Sequence, residues 1–257
     1  MTILKPDWPA PSSVQAFYTT RTGGHSEAPF DSFNLAAHVG DNLEAVQQNR
    51  SSLKEKLQKY SDDALTFQWL NQVHGTEVHR MQRASACAET ADGLTTRTKF
   101  QVCAVLTADC LPLLFCDESG SQVAATHAGW RGLASGILSK TVKLFESEPS
   151  SVLCFLGPAI SQKAFEVGDD VKQAFLGSDI FNAVSKNDSI IDQIFLPKNT
   201  ASSANSGAKK YYADLYELAR VELRSLGLTK VYGGDHCTFN EQDQFCLLYT
   251  SPSPRDA

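Results

Sequence analysis

Cys110-Leu111-Pro112-Leu113-Leu114-Phe115-Cys116-Asp117-Glu118-Ser119-Gly120-Ser121-Gln122-Val123-Ala124-Ala125-Thr126-His127 is the stretch on which the fold turns. Two apolar runs, 110–116 and 122–127, flank a turn signal at Asp117-Glu118-Ser119-Gly120, and together they predict a β-hairpin. With Asp117 paired to Gly120 around a two-residue loop, Cys110 stands opposite His127 at the open end. Opposed residues carry Cβ atoms about 4.5–5.5 Å apart, near enough to share one ion. A slip of one residue would send one of the two side chains to the other face. Pro112 has no N–H for a ladder and fits the start or the edge of a sheet strand.

A third candidate ligand lies upstream. Leu65–Val73 reads as a strand that delivers His74 to its end, within Asn71-Gln72-Val73-His74-Gly75. Two imidazoles and a thiol form a set that zinc accepts while keeping its fourth position open, which is the catalytic rather than the structural pattern. The three residues are far apart in the chain and match no compact zinc-finger spacing. Such a zinc site supplies Lewis acidity and an activated water at neutral pH. The Cys110/His127 pair equally suits a nucleophile and its base, so both readings stand. Gln72 shares a strand face with His74 and is a candidate catalytic residue. So is Asp109 beside Cys110, although in a regular strand it points away and supports the ligand from behind. Arg21 and Arg131 are candidates for substrate binding through an anionic group such as phosphate, because guanidinium donors suit its oxygens in pairs. The other reading for each is a structural ion pair.

Composition narrows the class. At 257 residues, with 42% hydrophobic and 20% charged, the chain suits one soluble globular domain. A net charge of −6 without a basic run argues against nucleic acid as a partner. No apolar stretch reaches the roughly 18 residues of a membrane span, so no membrane partner is expected. Met1 to Pro11 has one Lys and no apolar core of a leader, and seven cysteines show no disulfide spacing. A reducing cytoplasm fits.

Along the chain, residues 1–13 read as a loose N-terminal arm and Val14–Thr20 as a strand. Asp41 or Asn42 caps a helix over 43–58, with Val46, Leu53 and Leu57 on one face. Gln101–Leu106 is an apolar strand. The stripe Leu133, Ile137, Leu138, Val142 and Phe145 predicts a core helix over 132–147. Val152–Leu156 is a strand, Asp169–Phe175 a short helix, 198–210 a polar mobile loop, Asp214–Leu226 a helix, and Lys230–Tyr232 leads into a last strand. Strands precede the main helices without strict alternation, which favours a mixed sheet over a doubly wound one.

Several segments resemble, in order, the family described variously as laccase-domain proteins, multicopper polyphenol oxidases, purine nucleoside phosphorylases and peptidoglycan editing factors. They are Thr20-Arg21-Thr22-Gly23-Gly24, Phe33-Asn34-Leu35, His38-Val39-Gly40-Asp41, Ala91-Asp92-Gly93-Leu94, Thr126-His127-Ala128-Gly129-Trp130-Arg131-Gly132, Leu156-Gly157-Pro158-Ala159-Ile160, Phe165-Glu166-Val167, Asp214-Leu215 and Cys237-Thr238. The resemblance implies an α+β fold in a single domain over 14–245, with two packed mixed β-sheets flanked by helices in α/β/β/α layers. It implies zinc held by His74, Cys110 and His127, and phosphorolysis of adenosine, inosine, guanosine or methylthioadenosine, with adenosine deamination beside it. Nucleoside and phosphate are then the partners. Cell-wall precursor editing by a Cys/His hydrolase is the alternative. A laccase comes last, because a multicopper centre needs about ten His ligands and the chain has six; copper is therefore the less favoured metal. From Cys246 to Ala257 the family pattern fails, and the string resembles a translated sequencing adapter. That stretch reads as a non-native read-through tail that is no part of the fold.

Overall fold

The computed structural model describes residues 1–85, 87–178, 188–198 and 209–245. The tail 246–257 and most of the 198–210 loop expected above lie outside the described residues. In chain order the elements begin with β1 (Ile3–Leu4), β2 (Tyr18–Thr19), α1 (Leu43–Gln58), β3 (Thr66–Gln68), β4 (Leu70–Asn71) and β5 (Val78–Met81). Next come β6 (Glu89–Thr90), β7 (Gly93–Thr96), β8 (Gln101–Cys103), β9 (Leu111–Asp117), β10 (Val123–Ala128), α2 (Trp130–Ala134) and α3 (Ile137–Lys143). The remainder are β11 (Val152–Leu156), β12 (Glu166–Gly168), α4 (Asp169–Leu176), α5 (Asp188–Ile194), β13 (Phe195–Pro197), β14 (Lys210–Ala213), α6 (Leu215–Ser225) and β15 (Lys230–Gly233).

The fold is α+β. Six strands form one mixed sheet in the order β15-β11-β9-β10-β7-β5, antiparallel at its centre and parallel at both outer pairs. A smaller antiparallel sheet, β12-β14-β13, shares its core. Alternate residues explain the packing. Leu111, Leu113 and Phe115 of β9, with Val152, Cys154 and Leu156 of β11, are buried in one cluster with Ile137, Leu138 and Val142 of α3 and Leu218, Ala219 and Leu223 of α6. The hydroxyls of Thr126 and Thr141 meet at 3.0 Å on that same side. His127 therefore belongs to the opposite face of β10.

The central hairpin forms, with a different register. His127 pairs with Pro112 rather than Cys110, and the loop holds four residues because Asp117 pairs across to Gln122. The cause is the Asp117 carboxylate, which accepts the N–H groups of Ser121 and Gln122 and the hydroxyls of Ser119 and Ser121. A shift of two residues conserves the face, so the expected side-chain set survives the wrong register. Pro112 lies near the start of a central strand, not on an edge.

Other differences have equally local causes. The single helix expected over 132–147 is two, because Gly136 adopts φ 84° and its N–H closes on the Leu133 carbonyl. The strand expected over 65–73 changes partner, β3 pairing with β8 and β4 with β6. The 101–106 strand stops at Cys103. Val14–Thr20 contributes only Tyr18–Thr19, which pairs with Ile3–Leu4. The N-terminal arm is thus pinned rather than loose: the Met1 amine donates to the Gly23 carbonyl at 3.0 Å, and Lys56 Nζ to the Met1 carbonyl at 2.8 Å. Helix α1 starts as read, with Asn42 Oδ1 accepting from Glu44 and Ala45 N–H; such a cap contributes about 1 kcal/mol. Asp214 caps α6 in the same way through Glu217 N–H.

Candidate metal centre

Two loops and one strand end converge on the cleft side of the main sheet. His74 follows β4 and takes φ 58°, a left-handed conformation that costs a non-glycine residue about 1–2 kcal/mol. Cys110 immediately precedes β9. His127 is the penultimate residue of β10 and is buried. Their ligand atoms all lie within 4.8 Å of one another, and they are the group of this kind among the described residues. The rings of His74 and His127 meet edge to face with centroids 4.8 Å apart.

Glycines make the approach possible. A Cβ on Gly129 would sit 2.8 Å from His74 Cδ2 and 3.2 Å from Cys110 Sγ. On Gly132 it would sit 2.6 Å from the Gly75 carbonyl oxygen, so α2 could not lie against the His74 turn. The small residues of the Gly129-Trp130-Arg131-Gly132 run are there for space. A borderline-soft donor set of two imidazoles and one thiol, brought within reach of one point, fits a metal ion; three protein donors also leave a further coordination position.

The electrostatics favour charge separation in the metal-free protein. Burial pushes the Cys110 thiol up, but hydrogen bonds from His127 and His74 outweigh it and bring it down to about 7. Burial disfavours the His127 imidazolium, yet hydrogen bonds to Asp92 and Cys110 hold it up at about 9. Asp92 is itself held below the ordinary carboxylate range: burial raises it, and the bonds from His127, Gly75 and Val73 more than compensate. Asp92 Oδ1 lies 2.9 Å from His127 Nδ1. Asp92 lies in the Ala91-Asp92-Gly93-Leu94 segment, where the sequence pattern assigns it no role. Its signal was a carboxylate followed by glycine at the entrance of a strand, which spacing alone does not connect to His127.

An open cavity of about 1500 Å³ includes His74, Cys110 and His127 in its lining, together with Gln72, Asp109, Arg21 and Arg131. Arg21 makes the structural ion pair of the other reading, its Nη2 3.9 Å from an Asp31 carboxylate oxygen. Both ends of the Gln72 amide are engaged by Leu106, donating to its carbonyl at 2.8 Å and accepting its N–H at 2.7 Å. That clamp takes the Leu106 backbone out of the strand ladder, and it ties the His74 loop to residues 104–107. Asp109 Oδ1 accepts the buried Thr238 hydroxyl at 2.8 Å. Arg21 donates from Nε and Nη2 to the Asp31 carbonyl, at 3.1 and 3.0 Å. The Arg131 guanidinium lies 4.4 Å over the Trp130 ring.

Residues 15–246 match the family model for the multi-copper polyphenol oxidoreductase laccase. The chain belongs to that family. Among its relatives, the Escherichia coli protein named purine nucleoside phosphorylase YfiH is 42% identical over 243 residues, covering 95% of this chain and 91% of that protein. A Pseudomonas aeruginosa protein, also named a purine nucleoside phosphorylase, is 44% identical over 247 residues, covering 94% and 90%. The crystal structure of a Neisseria meningitidis family member superposes with a TM-score of 0.83 at 41% identity, covering 97% of this chain and 93% of that one. No helix among the described residues is long and apolar enough to cross a membrane.

Proposed function

We propose that this family member is a zinc-dependent purine nucleoside phosphorylase of the cytoplasm, taking adenosine, inosine, guanosine or methylthioadenosine with phosphate. The observation that carries the reading is the convergence of His74, Cys110 and His127 in the lining of a cleft that also includes Arg21 and Arg131, in a chain whose relatives bear that name. Phosphorolysis breaks the bond between the sugar C1′ and the purine nitrogen. A phosphate oxygen takes C1′, and the purine leaves as the free base after gaining a proton.

In this reading Arg131 and Arg21 meet the phosphate oxygens, for which Arg21 exchanges its present carbonyl acceptor on Asp31. Gln72 positions the His74 loop through Leu106 and Asp109 braces the Cys110 segment against Thr238, so both act behind the ligands. A bound zinc would supply Lewis acidity and neutral-pH water activation, chemistry that also suits deamination of adenosine as a second activity. Copper is the rival metal from the family name. The chain has six histidines, too few for a multicopper set of about ten.

The test is metal analysis of purified protein together with base release from adenosine and inosine, with and without phosphate. One zinc per chain, lost in Cys110→Ser, and phosphate-dependent release that weakens in Arg131→Ala are expected. Zinc-loaded protein that releases no base would sink the phosphorylase reading. A second reading is favoured by one arrangement: Cys110, His127 and Asp92 are hydrogen-bonded in sequence, the order of a nucleophile, base and orienting acid. A Cys/His hydrolase acting on peptidoglycan precursors would keep its thiolate free of metal, so stoichiometric zinc at Cys110 separates the two.

A further inference from the structure

We propose that Asp92 is the positioning residue that assembles the metal centre, fixing two of the three ligands at once, one through its ring and the other through its backbone. This rests on the reading of His74, Cys110 and His127 as metal ligands. Asp92 has no solvent exposure, and its carboxylate is saturated by four donors. Oδ1 accepts His74 N–H at 2.9 Å and faces His127 Nδ1 at 2.9 Å; Oδ2 accepts Gly75 N–H at 2.7 Å and Val73 N–H at 3.3 Å. An ionised carboxylate offers about four acceptor sites and no donor, so every site is used.

Two consequences follow for the ligands. Because Asp92 only accepts, His127 Nδ1 must carry its proton, and Nε2 is left as the ligating nitrogen. Because three successive N–H groups converge on the same carboxylate, the left-handed turn at His74 is held in the conformation that aims its ring at Cys110 and His127. The anchor itself is fixed: the Asp92 carbonyl accepts His127 N–H at 2.7 Å, and Asp92 N–H donates to Glu77 at 2.9 Å. Asp92 thus joins β7, β10 and the His74 loop at one point, and nothing in the local sequence around any ligand reveals it.

An asparagine cannot reproduce this pattern. With its oxygen toward His127 and His74, its amide N–H groups face those of Val73 and Gly75. With the amide flipped, His127 Nδ1 becomes the acceptor and the proton moves to Nε2, the nitrogen the metal needs. Either orientation spoils one ligand.

The experiment compares Asp92→Asn with the wild type, both given zinc alone. Affinity is measured against a chromophoric chelator, and the His127 ring nitrogens are followed by ¹⁵N NMR of the zinc-loaded protein. We expect zinc affinity to fall about 10- to 100-fold, and the wild-type ring to show a protonated Nδ1 and a metal-bound Nε2. Gln122→Ala serves as a folding control, since that buried amide bonds Thr95 and Leu144 at the far end of β10; its zinc affinity should stay at the wild-type value. Equal affinity in Asp92→Asn and wild type would overturn the proposal while leaving the metal reading intact. So would a wild-type ring bound through Nδ1, an observation that does not need the variant to fold. A wild type that binds no zinc would overturn both.

Discussion

Gly129→Ala isolates the geometry of the metal centre from its chemistry, because it adds one methyl group and removes no donor. Gly129 has φ −64° and ψ 160°, extended backbone that alanine adopts without strain. The new Cβ would stand 2.8 Å from His74 Cδ2 and 3.2 Å from Cys110 Sγ. Carbon–carbon contacts are comfortable at about 3.5–4.0 Å, so the methyl overlaps the imidazole by about 0.7 Å or more and crowds the sulfur as well. Neither neighbour retreats freely: the His74 backbone is tied to Asp92, and Cys110 is held at the start of β9. Overpacking of this kind costs about 1–3 kcal/mol. If the two side chains relax apart in the metal-free protein and must be forced together around the ion, that energy appears as about a 5- to 150-fold loss of zinc affinity. The assay is zinc competition against a chelator, paired with urea unfolding of the metal-free protein. Wild-type zinc affinity in Gly129→Ala would refute the argument that these atoms converge on one ion.

Two further predictions concern titration. In metal-free protein, alkylation of Cys110 by iodoacetamide should reach half its maximal rate near pH 7, the value set by His127 and His74 against burial, and zinc should block it; a midpoint at the ordinary thiol value of about 8.5 would exclude the ion pair. Glu222, buried in α6 with Oε1 accepting Ser139 N–H at 3.0 Å, is pushed up by burial to about 8. The folded state therefore keeps a proton that the unfolded chain loses above its own pKa of about 4.5. Stability should accordingly decline as pH rises across that window and level off above about 8. Glu222→Gln should flatten the profile, by a few kcal/mol on the order of magnitude set by such a displacement. Parallel urea-unfolding profiles for the two proteins between pH 5 and 9 would contradict it.

What could be read in the chain follows the range of the forces involved. The Asn42 cap, the apolar stripe at Ile137, Leu138 and Val142, and the paired runs around Asp117-Glu118-Ser119-Gly120 are all set by neighbours a few residues away. Their elements form, with the helix expected over 132–147 split at Gly136. The three candidate ligands were legible for a related reason: His74 ends a strand run, and the alternation of strand faces keeps Cys110 and His127 on one side even with the register moved by two. The register itself was not legible, because it depends on how many N–H groups the Asp117 side chain captures within its own loop. Nor was the employment of Gln72, Asp109 and Arg21, whose partners at Leu106, Thr238 and Asp31 come from other segments. The sequence by itself, through its hairpin pattern and its resemblance to a family, singled out two imidazoles and a thiol that could share one ion. Only the tertiary structure decided that they meet, because the meeting depends on space left by Gly129 and Gly132 and on one buried carboxylate, Asp92, which bonds across 17 to 35 residues of sequence.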